Sequence, residues 1–107
     1  MSTNYYVHPE YDRPDLEREE EGIHLGKSAA GWVFTFRAYP HASPPVMDFG
    51  AWTGLLELGT VYDEYRRPVD QGELLDLIAD SQTGRKDPDD IAFLDDEGFR
   101  FIAQEFS

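Results

Sequence analysis

The chain has 107 residues and a formal charge of −13 at pH 7, from 22 Asp and Glu against 9 Lys and Arg. That field repels nucleic acid and anionic membrane surfaces and attracts basic ones. A hydrophobic content of 40% with 14% aromatics excludes a disordered acidic chain, the absence of cysteine excludes disulfides and thiolate zinc sites, and no apolar run reaches the roughly 20 residues of a membrane-spanning helix.

One domain over residues 1–107 is expected, since a chain of this size buries about two-thirds of its unfolded surface. Tyr5-Tyr6-Val7 is a short β-favouring patch, after which His8-Pro9 opens a polar, acidic loop at about residues 8–22. Ile23 to Gly26 reads as a short strand, with Gly26-Lys27-Ser28 as the turn behind it. Gly31 to Tyr39 is the clearest strand, with Trp32, Phe34, Phe36 and Ala38 alternating against Val33, Thr35, Arg37 and Tyr39.

Asp48 is placed to cap a helix ending near Leu58, with Gly59 as its left-handed stop and Phe49, Trp52, Leu55 and Leu56 on one face. Thr60 to Tyr62 is a short strand and Asp63 to Pro68 a turn. Asp70 and Glu73 mark the start of a second helix running to about Gln82. Its apolar face is Leu74, Leu77 and Ile78; Glu73, Asp76 and Asp80 stand opposite at i, i+3 and i+7. Ile91 to Leu94 and Phe99 to Ile102 form a hairpin around Asp95-Asp96-Glu97-Gly98. The expected fold is α+β, a small mostly antiparallel sheet with two short helices packed on one side.

Gly26-Lys27-Ser28 invites a phosphate-loop reading, but the glycine needed five residues earlier is Glu21. His8, His24 and His41 match no zinc spacing, so no metal and no cofactor are expected. Ser28 with His24 lacks a nucleophile elbow. With no complete catalytic constellation, the expectation is a non-enzymatic protein. A small ligand-binding domain or enzyme centred on His24, Lys27, Ser28 and Trp32 is the alternative.

Two groups suit partner binding. Asp63, Glu64, Tyr65 and Arg66 concentrate opposite charges beside aromatics, and Tyr and Arg favour binding hot spots. Glu73, Asp76 and Asp80 are residues three and four apart on one helix face, a spacing of about 5–6 Å between Cβ atoms, and a duplex strand carries a charge about every 3.4 Å. Such a row, with acids in the 87–97 segment, competes for a groove lined with Lys and Arg.

Tyr5-Tyr6-Val7, then Ile23-His24-Leu25-Gly26-Lys27-Ser28 followed by Gly31-Trp32-Val33-Phe34, resembles a family of small phage proteins with a His-Ile-Gly-Lys-Ser-Ser-x-Gly-Trp-x-Phe signature. The likeness runs on through Val61 to Val69, similar to that family's Asp-Glu-Tyr-Gly-Arg strand-turn, and through Gly98-Phe99 and Glu105-Phe106-Ser107. Relatives often carry a Cys-x-x-Cys pair where residues 8–22 here contain no cysteine and instead hold Asp12, Asp15 and the acids of Glu17 to Glu21. Arg66 stands where they often have Gly, which implies a different turn. The resemblance implies a phage accessory protein in the host cytoplasm. Its expected partner is a basic host protein or complex, bound without nucleic acid or membrane. Its expected role is inhibition of a defence complex (anti-CRISPR-like) or of transcription or replication machinery by nucleic-acid mimicry.

Overall fold

The computed structural model describes residues 2–9, 16, 18–19, 22–29, 31–42, 44–57, 59–82, 85–87 and 91–102. Most of the acidic loop expected at 8–22, the acids at 89–90, Leu58 and the terminal Glu105-Phe106-Ser107 lie outside them. The elements in order are β1 (Ser2–Pro9), β2 (Arg18–Glu19), β3 (Gly22–Ala29), β4 (Thr35–Arg37), α1 (Phe49–Glu57), β5 (Gly59–Asp63), β6 (Pro68–Val69), α2 (Gln71–Ser81), β7 (Phe93–Leu94) and β8 (Arg100–Ile102). They build one eight-stranded sheet ordered β6-β5-β1-β3-β4-β8-β7, with β2 also paired to β3. The fold is α+β, as the sequence predicts. Every ladder is antiparallel except β4 with β8.

Three local expectations are corrected. His8 and Pro9 do not open a loop; they finish β1 opposite Thr60 and Gly59, where a proline at a strand end costs little pairing. Gly26-Lys27-Ser28 is not a turn but lies inside β3, and an irregularity between Tyr5 and Tyr6 shifts the register there. The strand expected over Gly31–Tyr39 shrinks to three residues, flanked by single bridges from Trp32 to Lys86 and from Tyr39 to Val46. Its alternation is uninformative because Val33 through Tyr39 are all buried, on both faces. A period of two marks a strand with one wet face, and this one has none.

Gly26 is dictated by that crowding. A Cβ there would overlap the Thr35 carbonyl oxygen and the Phe34 ring, so only glycine lets β3 and β4 approach. Gly26→Ala is expected to cost about 1–3 kcal/mol of stability by overpacking, read from a denaturant midpoint.

Both helices contribute to one core. Trp52, Leu55 and Leu56 of α1 and Leu74 and Ile78 of α2 join Val7, Ile23, Leu25, Phe36, Val61 and Phe101 from the sheet. Phe36 is its aromatic hub, with Phe34, Phe49, Phe99 and Phe101 ring centroids 4.9–5.9 Å away. Trp52 is fully buried and its indole N–H donates to the Arg37 carbonyl at 2.9 Å, meeting the requirement that a buried Trp find a polar partner.

The helix starts are as predicted. Asp48 Oδ1 accepts from Ala51 N at 2.7 Å, and Asp70 Oδ2 from Glu73 N at 3.0 Å. At its other end, α1 uses a different device from the expected glycine stop. Gly59 opens β5, and the Gln71 amide donates to the carbonyls of Leu56 and Gly59, satisfying a last-turn carbonyl from outside the helix.

Candidate functional site

The β5–β6 hairpin turns on Asp63. Its backbone N–H donates to Arg67 O, and its carbonyl accepts from Arg66 N, both at 3.0 Å. Its carboxylate Oδ1 accepts from Tyr65 N and Arg67 N at 2.8 and 3.0 Å, and Oδ2 accepts from Arg67 Nε at 3.0 Å. Burial works to raise this carboxyl's pKa; the Arg67 and Tyr65 amides and the Arg67 guanidinium outweigh it and hold the pKa below the usual value.

The same framework recurs at the β7–β8 turn. Asp95 Oδ1 accepts from Glu97 N and Phe99 N, Asp95 N donates to Phe99 O, and Gly98 N donates to Asp95 O. The fourth residue of each turn is left-handed, Gly98 at φ 88° and Arg66 at φ 62°. Arg66 thus adopts the left-handed φ that glycine takes in the sister hairpin. A non-glycine residue there costs about 1–2 kcal/mol. Part of that returns on substitution, since glycine also loosens the unfolded chain. Arg66→Gly is thus expected to raise stability by about 0.5–1 kcal/mol, measured by thermal unfolding.

A second residue joins the two candidate groups. Asn4 N donates to Glu64 Oε1 at 2.9 Å, and His24 Nε2 donates to Asn4 Oδ1 at 3.0 Å. The His24 ring stacks on Tyr6 with centroids 5.0 Å apart, and Tyr39 OH donates to the His24 carbonyl. His24 is 4% exposed. Burial first, then the Arg37 and Lys27 cations, lower its pKa to about 4, against a hydrogen bond with the Gly26 backbone that acts the other way. It is a neutral imidazole at pH 7. Asn4 was not singled out from the sequence, and its partners are 20 and 60 residues away, beyond any local pattern.

The other members of the alternative group are spread out. Lys27 sits across from Asn4 and Thr35, and Ser28 across from Thr3. His24 and Ser28 are four residues apart on one strand, about 13 Å at the usual rise, so the imidazole does not reach the hydroxyl. Trp32 stands apart on the 31–34 segment, 41% exposed. Among the described residues no three His, Cys, Asp or Glu side chains converge as metal ligands.

On α2, Leu74 and Ile78 are buried while Glu73, Asp76 and Asp80 are exposed in a row. Asp80 meets Arg85 at 3.3 Å with its carboxylate 78% exposed, a contact worth little in solvent. In the 87–97 segment Asp87 is engaged by Arg100 at 2.7 Å, Asp95 holds backbone amides, and Asp96 and Glu97 are exposed. No helix among the described residues is long and apolar enough to cross a membrane. Comparison with models of known families, with curated proteins and with solved structures finds no match.

Proposed function

We propose that this chain is a non-enzymatic phage accessory protein that binds a basic surface of a host protein as an acidic mimic of nucleic acid. The target class is the nucleic-acid groove of a defence complex, in an anti-CRISPR-like role, or of transcription or replication machinery. The observation that carries the reading is the exposed row Glu73, Asp76 and Asp80 on α2, whose other face is committed to the core. A formed helix holds these carboxylates without a backbone ordering cost at binding, which favours a fixed charge pattern over a flexible acidic tail. The net charge of −13 adds long-range attraction to a basic partner. Burial of His24 and its distance from Ser28 favour this reading over catalysis at the 24–32 segment.

The test is capture of partners from host lysate at low and moderate salt. It compares the natural chain with a triple variant carrying Glu73→Lys, Asp76→Lys and Asp80→Lys. A basic, nucleic-acid-handling partner whose capture falls with salt is expected. The triple variant should bind it at least about tenfold more weakly and with a shallower salt dependence. Equal affinity of the two chains for the captured partner overturns the mimic reading.

A further inference from the structure

We infer that the partner's groove is of the kind that binds single-stranded nucleic acid, and that Trp32 enters it in place of an unstacked base at the end of the acidic row. The inference rests on the reading above that α2 imitates a phosphate strand, and it names the class of groove that takes the imitation.

Trp32 is the exception in its segment. Val33 through Tyr39 are all buried, yet this indole, the largest side chain of the run, is 41% exposed. Tryptophan is highly buried on average, as Trp52 is here. The backbone beneath the exposed ring is pinned. Trp32 N donates to Ala29 O at 3.1 Å, Val33 N to Lys86 O at 2.9 Å, and Lys86 N to Gly31 O at 3.0 Å. A ring on a fixed backbone costs little ordering when a partner covers it, and Trp is enriched among residues that dominate interface energetics.

Two contacts set that ring at the C-terminal end of α2. Phe34 N donates to the Oγ of Ser81, the last residue of the helix, at 3.0 Å. Arg85 reaches Asp80, the last acid of the row, at 3.3 Å, and the next residue, Lys86, bridges to Trp32. The surface therefore carries carboxylates along the helix and a π-face at its end. A single strand offers the same two things, phosphates and free base faces, and its binding grooves join cations to aromatic stacking platforms. A duplex hides its base faces in the stack, and its readers use phosphates and base edges. Lys86 narrows the choice of stacking group. It is exposed and stands across from Trp32 in the bridge, so a positive charge already lies near the ring and disfavours a second cation there. The group that stacks on Trp32 is an aromatic ring.

The test uses the full chain, labelled with nitrogen-15, and two acetylated, amidated peptides of equal charge, Lys-Lys-Trp-Lys-Lys and Lys-Lys-Ala-Lys-Lys. The natural chain should bind the Trp peptide about three- to tenfold more tightly than the Ala peptide, the gain expected of one aromatic pair. The Trp peptide should also shift the Trp32 indole N–H signal. Trp32→Ala should bind the two peptides alike, and Trp32→Phe should keep part of the preference. Equal binding of the two peptides by the natural chain, or a preference that survives in Trp32→Ala, would overturn the inference. The acidic row has a separate readout. Joint replacement by Glu73→Lys, Asp76→Lys and Asp80→Lys should weaken both peptides together; unchanged binding in that variant overturns the row, whatever the ratio between the peptides.

Discussion

Asp95→Ala should lower the unfolding free energy by about 2–4 kcal/mol, the sum of a lost helix cap and a lost turn anchor. One carboxylate serves both. Oδ2 accepts from Phe49 N at 2.8 Å, an amide at the start of α1 and 46 residues away in sequence, while Oδ1 accepts from Glu97 N and Phe99 N at 3.0 and 2.8 Å. Removing it strands the part-buried amides of Phe49 and Phe99 together with the exposed amide of Glu97, and frees α1 from the β7–β8 hairpin. Phe49 and Phe99 stack with centroids 4.2 Å apart, so the loosening reaches the Phe36 hub. Asp95→Asn, which keeps one oxygen, should cost less than Ala. Denaturant midpoints of the two variants test this; a loss under 1 kcal/mol for Asp95→Ala would show that solvent replaces the carboxylate.

The second large effect is acid lability centred on His24. Its folded pKa of about 4 lies below the unfolded value of 6.5, so the unfolded chain binds the proton more readily. The resulting stability is fully present above pH 6.5 and is lost as pH falls toward 4. The gap corresponds to about 3 kcal/mol. Protonation would set a third cation beside Arg37 and Lys27 in a site sealed from water. The depressed Asp63 carboxyl loses its own contribution in acid as well, so the natural chain alone does not isolate the imidazole. His24→Gln keeps a polar group for Asn4 and removes the titration. Between pH 7 and 4.5 the natural chain should lose more stability than this variant, by about 2–3 kcal/mol. Parallel pH profiles for the two proteins would refute the assignment.

Capping signals and helix faces were readable because they are local. Asp48, Asp70, the Leu74/Ile78 face and the turn at Gly98 all follow from residues within four positions of one another. The α+β class was legible for the same reason. The strands were less so where both faces are buried, as at Val33–Tyr39, because alternation then carries no information. Gly26-Lys27-Ser28 reads as a turn because glycine usually marks one; its true reason is a backbone contact with Thr35 on another strand. The acidic row was legible from helical spacing. The join of Glu64 to His24 through Asn4 was not, since two strands and the β5–β6 turn supply its members.

The parallel ladder of Thr35–Arg37 with Arg100–Ile102 also constrains how the protein is made. On a ribosome, β4 emerges about 65 residues before the strand that covers its flank. At about 5–20 residues per second that is a wait of roughly 3–13 s. For that interval Phe36 lacks Phe101, its stacked neighbour, and one edge of β4 is unpaired. A closure between segments so far apart in sequence slows folding, because the chain between them must be ordered before the contact is made.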